Sequence, residues 1–250
     1  MNKYLKNLNR IEFVVTMACS GRCKHCSQGN HISNEHIDDV KAQQAIYDIC
    51  SHYNIDSLMT FGGEPLLYPE TVCKIHSAAR KMNIPQRELI TNGYFSKDIG
   101  RIKEVAHMLA QSGVNGICLS VDAFHQETIP LEYVKEFASA VVKKEILIHT
   151  HPAWLVSADD DNPYNLKTRE MLNEFSEMGI EQSSGNVIFP SGNALKYLGE
   201  YFDQDVEYDN PYRENPKDVK TISFSANGDV LCRNIYKDPI LEIMGSYSIT

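Results

Sequence analysis

The chain has 250 residues, 42% of them apolar, and a formal charge of −9. That size and apolar content supply the core of one large domain and exclude a disordered polymer, while the acidic balance argues against a general nucleic-acid binder, which needs a basic face. Seven cysteines, an odd number with three close together, fit a reducing cytoplasm better than a disulfide scaffold.

The polar start "MNKYLKNLNR" leads into "IEFVV", which is too short for a signal-peptide core or a membrane span. The run at 10–16 predicts the first strand, and similar β-branched or apolar runs follow at 56–61, 87–91, 116–121, 145–150 and 186–189. Several begin about thirty residues apart, the length of one strand–helix unit. Between the first two, the spacing of Ile37, Val40, Ala45, Ile46 and Ile49 predicts a helix with one apolar face. The next helix opens near Pro69 and carries Val72, Ile75 and Ala79 at helical spacing. Further helices are predicted near 98–112, 130–144 and 165–178, the last behind the "DNP" turn at 161–163. Alternation of this kind implies a parallel sheet with right-handed crossovers, here an α/β fold with a partial (β/α)6 barrel, and places site residues at the carboxyl ends of the strands.

From 199 to 220 the pattern lapses into an acid- and tyrosine-rich stretch, a solvated linker or a lid over the barrel mouth. Asn227-Gly228 then signals a β-hairpin, and "DPILEIMGSYS" a short closing helix. The expected division is a barrel over 1–198 and an extension over 199–250.

Residues 19–26, "CSGRCKHC", set Cys19, Cys23 and Cys26 on one loop directly after the first strand. Three thiolates can hold three corners of a cubane iron–sulfur cluster and leave one iron open for chemistry. A zinc site remains the alternative, with His25 or His31 as fourth ligand and no catalysis. The second strand ends in "TFGGEPLL", where Gly62 and Gly63 permit close approach to the backbone and Glu64 offers an anionic partner for an amino group. The third ends in "LITNGYF" and the fourth in "CLSVDAFHQE". His149 and His151, two apart, share one side of the fifth strand, for proton transfer or substrate binding or simply as hydrogen-bonded lining. Trp154 reads as a packed core aromatic, and Asp159, Asp160 and Asp161 as a solvated cap.

The three-cysteine loop after the first strand, GGEP after the second, TNG after the third and S-x-D after the fourth together resemble the radical S-adenosylmethionine (radical SAM) superfamily over about residues 10–195. "FPSGNAL" (189–195) is similar to a segment of the branch with SPASM or twitch extensions, which holds peptide-modifying and cofactor-biosynthesis enzymes; Asn193 stands where that branch has an arginine. The resemblance implies one [4Fe-4S] cluster on Cys19, Cys23 and Cys26, whose open iron binds S-adenosyl-L-methionine. It further implies reductive cleavage to a 5′-deoxyadenosyl radical that abstracts a hydrogen from a peptide or a small biosynthetic metabolite. A nucleoside or tRNA base is the second choice of substrate; no leader-binding domain precedes the barrel, which weighs against the peptide. Gly62, Gly63 and Glu64 would meet the methionine amino group, Ser120 and Asp122 the ribose hydroxyls with Asn92 assisting, and Gly192 the adenine. Glu64 and Asp122 are thus expected to serve cofactor binding more than folding. An electron donor such as flavodoxin or ferredoxin is implied, with no membrane association. "FSANGDVLC" resembles the hairpin that opens a cluster-bearing extension, cut down to the single Cys232. That thiol is read either as a hydrogen-atom donor at the mouth or as a small buried anchor, and Cys50, Cys73 and Cys118 as core residues.

Overall fold

In the computed structural model, which describes residues 2–29, 33–203, 206, 208 and 213–249, the first strand, β1 (Arg10–Val14), separates two faces. Ile11 and Phe13 are wholly buried, whereas Arg10, Glu12 and Val14 are partly exposed on the other side. This period of two propagates by register through β2 (Ser57–Phe61), β3 (Gln86–Thr91), β4 (Gly116–Leu119) and β5 (Leu147–Thr150). With β7 (Glu181–Gln182) and β9 (Thr221–Phe224) they form an all-parallel sheet in the order β7-β5-β4-β3-β2-β1-β9. The two edge strands do not pair with each other, so the barrel is partial as expected.

The convex face carries the core. Ile11, Phe13, Leu58, Leu89, Ile117 and Leu119 pack under α1 (Asp39–Cys50), α2 (Pro69–Lys81), α3 (Ile99–Ser112) and α5 (Leu131–Val142). Three of these helices begin at a start signal in the sequence: Asp38 accepts from the Lys41 amide at 2.8 Å, Asp98 from Gly100 at 2.8 Å, and Pro69 opens α2. Gly113 ends α3 in the left-handed region at φ 90°. One face assignment is corrected: Val40 is 67% exposed and Ala42 takes its place against the sheet, because the helix starts at Asp39 and its stripe is set by Ala42, Ala45, Ile46 and Ile49.

The sixth strand is also corrected. Residues 186–187 form β8 (Asn186–Val187), which pairs with β6 (Ala153–Trp154) in a separate two-stranded sheet, and the main sheet instead takes β7. Pro152 breaks β5 from β6, and Gly185, at φ 69°, turns the chain where an added Cβ would lie 2.3 Å from the Pro152 carbonyl oxygen. The short α4 (Ala123–Gln126) follows β4, while α6 (Pro163–Glu177), capped by Asn162, runs between β6 and β7; α7 (Gly192–Tyr197) follows β8.

The extension feeds β9 into the main sheet beside β1, with Phe13 and Phe224 in register and their rings stacked at 4.7 Å. Residues 204–205, 207 and 209–212 of the acidic stretch lie outside the described residues. Asn227-Gly228 turns the chain as expected, but the paired hairpin is one turn later, between β10 (Asp229–Val230) and β11 (Arg233–Asn234). Leu231 and Cys232 make that turn in the left-handed region, and α8 (Ile240–Ser246) closes the chain. No helix among the described residues is long and apolar enough to cross a membrane.

Because the stacked ring seats β9 on β1, Phe224→Ala is expected to lower the unfolding free energy by about 3–4 kcal/mol. Urea denaturation followed by circular dichroism reads this, and an unchanged midpoint would show that β9 is held by other contacts.

Candidate functional site

Past β1, Thr16 is wholly buried; its hydroxyl donates to the Glu35 carbonyl at 2.7 Å and accepts from the Ala18 amide at 3.1 Å. These bonds direct the chain into the loop of Cys19, Cys23 and Cys26. On one side the loop lies against the exit of β2. The amides of Gly63 and Glu64 donate to the carbonyls of Thr16 and Ala18, each at 2.8 Å. An added Cβ at Gly62 would lie 2.3 Å from the Thr16 oxygen, and one at Gly63 2.1 Å from the Ala18 oxygen. The double glycine is therefore required by backbone meeting backbone; what these residues retain for an amino group is their carbonyl oxygens.

Glu64 is wholly buried. Its carboxylate accepts from the Leu66 amide at 2.9 Å, the Thr91 hydroxyl at 2.7 Å and the Asn92 amide at 2.8 Å, tying the end of β2 to the end of β3. Burial pushes its carboxyl up to about 7 against these three lowering bonds. Asn92, so held, points its side-chain amide at the Ser20 hydroxyl at 3.2 Å and the Cys19 sulfur at 3.7 Å.

Asp122 caps α4 and is likewise wholly buried. It accepts from the amides of Phe124 and His125 at 3.0 Å, from His125 Nδ1 at 2.8 Å and from the Ala153 amide at 3.1 Å. Burial raises this carboxyl, but the His125 ring beside it outweighs burial and holds it well below the usual carboxylate range. Both carboxylates are thus brackets inside the protein, Glu64 carrying three donors and Asp122 four.

The far side of the loop rests on 191–193. Gly192, at φ 55°, abuts the carbonyls of Cys26 and Ser27, where an added Cβ would lie 2.8 and 2.4 Å away. The Asn193 backbone amide donates to the Cys26 carbonyl at 2.9 Å and its side chain to the Cys23 carbonyl at 3.2 Å. The residue that departs from the family pattern thus holds the loop. Arg22 adds bonds to the carbonyls of Cys19 and Gly21, both at 2.8 Å, and its amide reaches Thr128 at 3.0 Å. Sequence reasoning missed Arg22 and Thr128, which lie 106 positions apart without a shared motif.

Burial, opposed by the Gly21 amide and reinforced by Glu64 and Cys26, pushes the Cys19 thiol up to about 11. Burial also raises Cys23, with Asp122, Cys19 and Cys26 adding to it. Three thiolates coexist here only when positive charge arrives among them, which is what a metal cluster brings. His25 packs on Phe124 and His125 at ring distances of 5.1 and 4.7 Å, with its Nδ1 buried and unpartnered. Burial lowers it to about 4. Ligand atoms of Cys23, His25 and His125 fall within 4.8 Å of one another; His31, the other candidate for zinc, lies outside the described residues.

Ser120 sits at the end of β4, its amide bonded to the Thr91 carbonyl at 2.9 Å. His149 and His151 do face the same concave side, with ring centroids 6.5 Å apart, and His151 Nδ1 meets the Ser183 hydroxyl at 2.8 Å. Cys232 is not brought to this group. It is exposed, in the β10–β11 turn, and so is not a buried anchor. Two-residue turns that need φ > 0 place a side chain outward, and the sequence shows no glycine to announce one there.

A sequence profile described as the Radical SAM superfamily matches residues 13–155. A GTP 3′,8-cyclase of Desulforamulus reducens is 24% identical over 131 residues, 51% of this chain and 38% of that protein, so the chain aligns with well under half the length of this relative. Among solved structures, anSMEcpe with bound AdoMet superposes with a TM-score of 0.61 at 15% identity, over 95% of this chain and 80% of that one. Streptococcus suis SuiB bound to precursor peptide SuiA gives 0.61 at 12% identity, over 97% and 65%. At such identities the likeness is one of fold.

Removing the Glu64 carboxylate orphans three buried donors, so Glu64→Ala is expected to lose about 2–4 kcal/mol of stability at neutral pH. Because the folded carboxyl titrates near 7 rather than at 4.5, the folded state holds the extra proton between those values. This component of stability is therefore present at the acid end and falls as pH rises through the window. Glu64→Gln is expected to flatten that part of the stability–pH curve, and urea titrations at a series of pH values check it.

Proposed function

The chain belongs to the radical SAM superfamily, whose cofactors are a [4Fe-4S] cluster and S-adenosylmethionine, and on that footing we propose that Cys19, Cys23 and Cys26 are the cluster's three protein ligands. The observation that carries this reading is the loop itself: three thiols on one short turn, those of Cys19 and Cys23 raised by burial and by their neighbours, strapped on three sides by Gly63–Glu64, Asn92 and Gly192–Asn193. When bound, the cluster supplies the electron that splits S-adenosylmethionine to methionine and a 5′-deoxyadenosyl radical.

The residues around it have separable tasks. The carbonyls of Gly62 and Gly63 accept from the methionine amino group, while Ser120 offers a hydroxyl toward the ribose. Asn92, fixed by Glu64, donates toward the Cys19 sulfur and so tempers the charge on that ligand. His25 and Phe124 cover the inner side of the loop and keep water from it. His151, lowered by burial and by His149, stays neutral and keeps its Ser183 contact.

The reaction assigned is hydrogen abstraction from a peptide or a small biosynthetic metabolite. Likeness over nearly the whole chain to SuiB, captured with a precursor peptide, supports it. The GTP 3′,8-cyclase relatives favour a nucleotide as the second reading, over about half of this chain.

Anaerobic reconstitution is expected to load about four irons and as many sulfides per chain, and dithionite with S-adenosylmethionine to yield 5′-deoxyadenosine. Cys19→Ala, Cys23→Ala and Cys26→Ala should each lose both. A Cys23→Ala protein that keeps a full cubane would sink the ligand assignment.

A further inference from the structure

The concave face of the sheet carries polar groups that the cluster chemistry leaves unused. In one register row lie Glu12, Met59, Glu88, Gly116 and Leu147, and in a higher row Ile90, Cys118 and His149. Glu12 is paired with Arg10 at 2.7 Å, and Arg10 also reaches the Met59 sulfur at 3.1 Å. The Glu88 side chain is half-buried and makes no hydrogen bond or ion pair among the described residues. Beside it β4 has Gly116, where an added Cβ would lie 3.2 Å from Glu88 Cγ and 3.5 Å from its Oε1, so the missing side chain gives the carboxylate room to lie across the neighbouring strand. Cys118 is not a convex-core residue. It points to this face, its thiol pushed up to about 11 by burial, with Glu88 adding to the rise and Arg10 opposing it. His149 stands next to it on β5.

We propose that this face binds the substrate through a cationic group, an ammonium or guanidinium, seated on Glu88 between Met59 and Gly116, with His149 and Cys118 lining the space above. The assignment rests on the radical SAM reading for placing substrate inside the open barrel, and it narrows the substrate class. A half-buried carboxylate without a partner is stabilised by an incoming cation. A triphosphate would meet Glu12 and Glu88, and the one cation that β1 to β5 turn to this face, Arg10, is already spent on Glu12. The chain's charge of −9 also draws cations rather than anions toward it. A basic peptide or a polyamine-like metabolite fits this face and a nucleoside triphosphate does not.

Cys118 reports on the charge beside it. Anaerobic holoenzyme is treated with cationic 2-aminoethyl or anionic 2-sulfonatoethyl methanethiosulfonate, each of which forms a mixed disulfide and releases methanesulfinate. Rates at Cys118 are read by peptide mass spectrometry, with exposed Cys232 as internal reference. The cation-to-anion rate ratio cancels any change in thiolate fraction. It is expected to exceed that at Cys232 by about tenfold and to fall by about fivefold in Glu88→Gln, as removal of one nearby charge requires. Millimolar agmatine should slow the cationic reagent at Cys118 in the wild type only, and inorganic triphosphate in neither protein. Since Glu88 holds no internal bond, Glu88→Gln should keep the fold; Glu88→Ala, with the same expected ratio, stands in if it does not. A ratio unaffected by both variants, an unreactive Cys118, no protection by agmatine, or protection by triphosphate overturns the proposal. Formation of 5′-deoxyadenosine in the same preparation separates the two readings: its loss with an intact ratio removes the radical chemistry, and its presence with a flat ratio removes only the cation site.

Discussion

The carbonyls of Thr16 and Ala18 accept from the amides of Gly63 and Glu64 at 2.8 Å, in a contact that has no room for a Cβ on either glycine. This backbone-to-backbone seam joins the ends of β1 and β2 and fixes where the cysteine loop begins. From it the remaining supports are arranged outward. Glu64, positioned by the seam, holds the end of β3 through Thr91 and Asn92, and Asn92 in turn reaches Cys19. The opposite wall is built by Gly192 and Asn193 on the carbonyls of Cys23, Cys26 and Ser27. A loop whose carbonyls and amides are bound on both sides loses little further freedom when it takes up a rigid cluster.

Two wholly buried carboxylates flank this loop, and they differ in ionisation for a definite reason. Burial raises both. At Glu64 the direct contacts are an alcohol and two amides, which do not offset burial, and the group rises to about 7. At Asp122 the His125 ring at 2.8 Å supplies a partner that outweighs burial, so the carboxylate stays charged. The first brackets strands β2 and β3 and the second ties α4 to the chain at Ala153. Both belong to the scaffold that orients the loop.

The sheet divides its labour by face. Apolar residues on the convex side are sealed under the helices, while the concave side keeps Arg10, Glu12, Glu88, Cys118 and His149 beneath the cysteine loop. An open barrel can retain such groups because this side is not covered by helices, and partly solvated polar groups there cost less than they would in a sealed core. The cluster and the cation site proposed above accordingly fall on different parts of the chain, the strand-end loops and the strand interiors.

What the sequence by itself determined was local. Helix caps at Asp38, Asp98 and Asn162, the alternation in β1, the three-cysteine spacing and the parallel strand–helix order are written in contiguous residues. They specify the element types, an open parallel sheet and the family. The tertiary structure decided what depends on contacts between distant segments. Residues 186–187 leave the main sheet for β6 because Pro152 and Gly185 bend the chain there, and β9 joins the sheet at β1 through the Phe13–Phe224 stack. The fold builds Glu64 and Asp122 into buried brackets, and it sets Cys118, buried as read, on the concave side of the sheet. A spacing pattern records which residue types recur, whereas a carboxylate's role follows from which donors the fold brings within about 3 Å of it.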